Sequence, residues 1–249
     1  MRKSFTIFIL SILFSASFAQ NKIRPVEELI NKTEPGWPLV KQWIDSAKNK
    51  VEILSCDHVK ARKGLYETQV TTRSPMGAIV YSTGGLLIDN GWIRILGSGN
   101  EKLNRSLPEW NKGKSFKDLG ETPSFLLVAD DAIGGLFAIN GGRFGKNAGK
   151  IYYLSPDNLE WEALDLTYTE FLKFCFNGDL ENFYSGLRWT TWKEEVSIMQ
   201  GDNVYSFYPP LWTKERKDIN KSSKKIVSIK EQYDFNMNAR KKLGLEERF

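Results

Sequence analysis

Histidine is almost missing from this chain. One residue, His58, stands among 249, which excludes a metal centre built from several imidazoles. Cysteine is scarce as well. Cys56 and Cys175 are the whole complement, too few for a disulfide framework or a four-thiolate zinc site. Past residue 19 no apolar run approaches the roughly 20 residues that a bilayer span needs. Internal repeats are absent. The glycine-rich run Gly141-Gly142-Arg143-Phe144-Gly145 lacks the lysine–threonine pair and the following helix of a phosphate-cradling loop, so it reads as a hairpin loop. No cofactor and no metal are expected.

What is present begins with an address. Arg2 and Lys3 precede an apolar stretch that ends in Ser17-Phe18-Ala19 before Gln20. That order of charge, apolar length and small residues is a secretory signal peptide over residues 1–19. The expected location is therefore periplasmic or extracellular, with no transmembrane segment after cleavage. Cleavage removes two cations, so the net charge falls from +5 to +3. The remainder divides unevenly. Residues 213–249 hold eleven basic and six acidic side chains and read as a basic, solvated extension. Residues 20–212 are long enough for one globular domain with a full core. An exported address argues against nucleic acid as a partner. The two cysteines admit two readings, a disulfide in an oxidising compartment or two small core residues.

The centre of the chain is strand-like. Apolar runs at 125–129, 136–139 and 151–154 are separated by Asp130-Asp131, Gly134-Gly135 and Asn140-Gly141, the punctuation of antiparallel pairing. Asn140 and Gly141 are both expected at positive φ. Gly134-Gly135 are expected where a side chain would meet neighbouring backbone. Upstream, residues 86–96 form a hairpin around Asn90-Gly91, and 51–56 form a further strand. Downstream, 159–164 carries Trp161. Thr167 and Glu170 have the spacing of a capping box, and the helix after them is apolar nearly all round. The fold class that follows is α+β, an antiparallel sheet of about five or six strands with helices packed on one face.

The chemistry available is limited. Asp130 and Asp131 beside the glycines suit turn hydrogen bonds, a cation, or acid–base carboxylates. As neighbours in a strand they point to opposite faces, which is not the arrangement of a dyad. Eight tryptophans are present, and an exposed one makes a platform for sugar or protein. Trp110, in a loop, is the one most expected at the surface. The candidate binding residues are thus Trp92, Arg94, Trp110, Asp130, Asp131 and Trp161. Two functions remain open. One is a non-enzymatic binding module for a protein or cell-envelope component. The other is an envelope hydrolase or glycan-processing enzyme using Asp130 and Asp131.

Four runs, residues 75–77, 84–99, 129–142 and 161–172, resemble a bacterial family of unknown function, domain of unknown function 2625, over about residues 34–212. The resemblance implies no activity. More distantly, the order of elements resembles the SUKH superfamily, which includes immunity proteins against polymorphic toxins. That likeness implies a protein-binding role without enzymatic chemistry.

Overall fold

The structure is a computed structural model that describes residues 23–216 and 218–245. The segment read as a signal peptide, residues 1–19, lies outside the described residues. Among them, no helix is long and apolar enough to cross a membrane.

The fold is α+β. Seven antiparallel strands form one sheet in unbroken chain order: β1 (Val51–Leu54), β2 (Gly85–Ile88), β3 (Ile93–Leu96), β4 (Phe125–Asp131), β5 (Leu136–Asn140), β6 (Lys150–Leu154) and β7 (Trp161–Thr167). Every apolar run read as a strand up to residue 167 enters this one sheet, so it exceeds the five or six expected. The β2–β3 turn places Asp89, Asn90 and Gly91 at φ of 50°, 61° and 87°, the backbone region that Asn and Gly tolerate best.

Several helices begin where short polar side chains can accept backbone N–H groups. Asp57 caps α3 (His58–Thr68) by accepting from Val59 and Lys60. Ser74 caps α4 (Pro75–Ser82), with proline in the first turn. Ser106 and Glu109 form a full capping box on α5 (Leu107–Asn111), as Thr167 and Glu170 do on α6 (Tyr168–Asn177). Upstream lie α1 (Val26–Leu29) and α2 (Trp37–Asp45). The α6 helix is one-sided rather than apolar all round: Phe171, Leu172, Cys175 and Phe176 are buried, while Glu170 and Lys173 face water. Phe171 meets Phe137 of β5 at 4.8 Å between ring centres, so α6 covers the sheet face that carries Phe137.

The stretch expected as a solvated extension is packed. After α7 (Leu180–Phe183) and α8 (Trp192–Ser197), strand β8 (Asn203–Tyr208) pairs along its whole length with β9 (Ser223–Ser228). The last helix, α9 (Ile229–Lys242), buries Ile229, Gln232, Asn236, Ala239 and Arg240. Tyr205 N–H donates to the Ala132 carbonyl, and Asn236 Nδ2 donates to the Gly134 carbonyl. The two-stranded unit and α9 are therefore tied to the β4–β5 turn.

Two glycine expectations change in their cause. Gly141 is not among the residues at positive φ; Gly142 is, at 116°. Gly141 is required by a close approach instead, since a Cβ there would lie 2.3 Å from the Pro123 carbonyl oxygen. Asn140 remains in β5, and its Oδ1 accepts from Gly142 N–H and Phe144 N–H. Likewise, a Cβ on Gly134 or Gly135 would meet side chains rather than backbone: Gln232 at 2.6 Å, and Asp131 Oδ2 at 2.3 Å. Gly141→Val is expected to cost about 1–3 kcal/mol, the range for forced overpacking. A urea midpoint equal to that of the parent would contradict the close approach.

The cysteines are free. Cys56, just after β1, has its Sγ 3.3 Å from the Tyr81 carbonyl oxygen, whereas Cys175 is sealed on the inner face of α6. Of the two, Cys175 is a core residue and Cys56 is half-buried. Burial pushes both thiols above their ordinary pKa.

Candidate functional site

Register sets the first element of the site. Arg94 on β3 stands opposite Asp130 on β4, and Ile93 opposite Asp131. Side chains alternate across a strand, so Asp130 and Asp131 leave β4 on opposite faces, as their adjacency predicts.

Asp130 is fully buried between two guanidinium groups. Arg94 Nε lies 2.8 Å from its Oδ1, and Arg105 Nη2 holds its Oδ2. Arg94 Nη2 donates to the Asn203 carbonyl at 3.0 Å, and Arg105 Nη1 bonds Asp202 at 2.6 Å and the Gly201 carbonyl at 2.9 Å. Burial pushes Arg94 below its ordinary pKa, and the Asp130 charge opposes that. The cluster fastens the 201–203 segment, and with it β8, to the middle of the sheet. Asp131 serves the other face. It accepts from Ile133 N–H, Gly135 N–H and the Tyr153 hydroxyl, at 3.0, 2.8 and 2.7 Å. Burial raises its pKa against those three hydrogen bonds. Its turn bonds are those expected of an aspartate before a glycine pair. Neither carboxylate reaches solvent, and an acid–base group must reach the proton it moves.

Trp92 is part of the core on the Asp131 side. Tyr184, Trp189 and Trp192 surround its ring at 5.3, 5.8 and 5.0 Å. The Arg188 guanidinium lies 4.8 Å from the Trp92 centroid and pairs with Asp89 at 2.7 Å.

From Asp130 a line of contacts runs along the other face to a pocket. The Arg105 guanidinium lies 5.1 Å from the centre of Trp110. Trp110 is only 6 % exposed, contrary to the expectation for a loop tryptophan, because Tyr233 of α9 meets it edge-on at 5.8 Å and Lys114 covers its face at 3.8 Å. Asn111 holds this segment in place: its side chain accepts from Leu127 N–H and donates to the Leu127 carbonyl, both at 2.8 Å. Lys114 then lines a pocket of about 340 Å³. The β4 start supplies Phe125, and the β5–β6 loop supplies Arg143 and Phe144. Trp161 of β7 closes one wall, and Tyr233, Met237 and Arg240 of α9 close the other. Phe144 stacks on Trp161 at 4.3 Å, since Asn140 folds that loop back onto the sheet. Arg240 is fixed by bonds to the Leu159 and Leu245 carbonyls.

Among the described residues, three cations and four aromatic rings line this pocket, and no carboxylate does. Lys114 Nζ donates to the Trp110 carbonyl at 2.6 Å. Burial drives its pKa down to about 8; Lys230 and Arg105 add to that, and Asp234 opposes it. Other cavities lack this bias. The cavity of about 420 Å³ beside α3 mixes Arg24 with Glu67, Asp118 and Glu121. The depression of about 530 Å³ on β8–β9 balances Lys224 and Lys225 with Glu231. Among the described residues no cluster of three or more His, Cys, Asp or Glu is placed to hold a metal.

Of the six sequence-derived candidates, Trp161 lines the pocket. Trp110, Arg94 and Asp130 form the buried line that leads to it, while Trp92 and Asp131 belong to the opposite face. Lys114, Phe144 and Tyr233 went unseen as site residues. Lys114 and Tyr233 sit in polar stretches 119 positions apart, and only the docking of α9 joins them.

The sequence is similar along most of its length to proteins that carry no functional description. An "Uncharacterized protein" of Haemophilus influenzae is 45 % identical over 223 residues, which is 90 % of this chain and 98 % of the relative. A "Putative uncharacterized protein YbfG" of Escherichia coli is 39 % identical over 212 residues, 85 % of this chain and 95 % of the relative. The family described as "Protein of unknown function DUF2625" matches residues 26–232, a span that takes in the whole seven-stranded sheet and the first residues of α9. The chain belongs to that family.

Proposed function

We propose that this is an exported, non-enzymatic binding protein, and that its ligand is a small aromatic anion, a planar ring bearing a carboxylate, held in the pocket beneath α9. One observation carries the reading: among the described residues, the lining joins three cations to four aromatic rings without a carboxylate. Rings stack on a planar ligand, and a one-signed wall in a low-dielectric cleft attracts the opposite charge. A volume of about 340 Å³ falls at the small end of ligand pockets, roughly 300–1,000 Å³. The carboxylates proposed for a hydrolase are committed elsewhere, Asp130 to two arginines and Asp131 to a turn and Tyr153.

Calorimetric titration with 2-naphthoate tests the pocket. Trp161→Ala is expected to weaken binding about tenfold, close to 1.4 kcal/mol, and Lys114→Met to weaken it comparably. The pH dependence has a definite sign. Lys114 is charged below about 8, so affinity is expected to fall as pH rises through that value. Absence of binding heat, or an affinity in both variants equal to that of the parent, would overturn the reading. Export is checked separately: the mature protein should begin at Gln20 by mass spectrometry, and a soluble form that retains Met1 would contradict it.

A further inference from the structure

Lys114 has the surroundings of an amine that reacts. Its Nζ lies 3.8 Å from the centre of Trp110 and 5.3 Å from that of Tyr233. Its hydrogen bond goes to a backbone carbonyl, that of Trp110. Among the described residues it forms no ion pair: Asp234, the carboxylate whose charge it feels, is paired with Lys230 at 3.0 Å. The Arg105 guanidinium stands across the Trp110 ring. Partial burial against aromatic rings, with cationic neighbours and no ion-pair partner, is one way proteins turn a lysine into a nucleophile. With a pKa of about 8, roughly a tenth of the amine is unprotonated at pH 7, against well under a thousandth for an ordinary lysine.

We propose that Lys114 forms a reversible imine with an aldehyde carried by an aromatic anion bound in this pocket. The inference rests on the pocket reading above and adds the chemical class of ligand. In the step, the Nζ lone pair attacks the carbonyl carbon and the C=O π pair moves to oxygen. A proton passes from nitrogen to that oxygen to give the carbinolamine. Loss of the hydroxyl and of the second nitrogen proton as water leaves the C=N bond. One amine and one aldehyde become one imine and one water, with no oxidant or reductant. The cations of the lining suit the anionic group of such a ligand, and the Phe144–Trp161 stack suits its ring.

The test uses the mature full chain, 4-formylbenzoate at pH 7.5, and sodium cyanoborohydride to trap the imine, with the adduct located by peptide mass mapping. The expected result is a single dominant adduct on Lys114, formed at least about tenfold faster than on any other lysine and suppressed by 2-naphthoate. Labelling spread over exposed lysines such as Lys60 and Lys230 would overturn the proposal. So would labelling of Lys114 that 2-naphthoate does not suppress. The two readings fail separately. If 2-naphthoate binds and Lys114 is not labelled, the imine fails and the pocket stands. If 2-naphthoate does not bind at all, the pocket reading fails. Lys114→Arg supplies the control: it keeps a positive charge but has no amine able to form the imine, so the dominant adduct is expected to be lost.

Discussion

A chain that ends at residue 218 is expected to lose its cooperative fold, not merely a tail. Removing residues 219–249 takes away β9, the pairing partner of all six residues of β8, and with it the buried Ile219, Val227 and Ile229. It also takes Tyr233 from Trp110, Gln232 and Asn236 from the β4–β5 turn, and Arg240 from the Leu159 carbonyl. Fully burying each large apolar side chain contributes about 1.5–3 kcal/mol. Losing several together approaches the roughly 5–15 kcal/mol that holds a whole domain folded. The truncated chain should therefore show no sharp thermal transition by circular dichroism. A melting temperature within about 5 °C of the parent would show that this packing contributes little.

Asp130→Asn is the point substitution expected to do most damage. The change is nearly isosteric and would be mild at a turn aspartate. Here it removes the one anion set between Arg94 and Arg105, both almost wholly buried. Breaking a buried pair by neutralising one partner typically costs about 3–5 kcal/mol, because it strands the other charge. Asp202 reaches Arg105 but not Arg94, so Arg94 is left with the Asn203 carbonyl alone. Asp131→Asn is expected to cost less. That carboxylate has its pKa raised by burial, so losing its charge is less severe, although the amide still gives up one acceptor among three donors. Urea denaturation of the two variants should rank them in that order; equal midpoints would contradict the assignment of Asp130 as the anion of a buried triad.

These cases also show what the sequence discloses and what it withholds. The strands were legible because short apolar runs and turn dipeptides are local signals, as at residues 86–96, where Asn90-Gly91 supplies the positive φ that the hairpin needs. The capping box at Thr167 was legible for the same reason. Gly141 was placed correctly but explained wrongly, because the atom that forbids a side chain there belongs to Pro123, distant in sequence. The extension was misjudged because α9 buries Gln232, Asn236 and Arg240 on its inner face; a helix that packs through polar residues has a weak apolar period. Trp110 was expected to be exposed because loop position says nothing of what docks on it. The pocket follows the same rule. Trp161 stood out by residue type, whereas Lys114, Phe144 and Tyr233 become a site only when a loop and a terminal helix meet.

The most direct measurement is a crystal structure of the protein from residue 20 onward grown with 4-iodobenzoate, with iodine located by its anomalous scattering. The pocket reading predicts one dominant iodine site between Trp161 and Tyr233, with the carboxylate toward Lys114. Iodine found only in the cavity beside α3 or on the β8–β9 face, with none beneath α9, would contradict it.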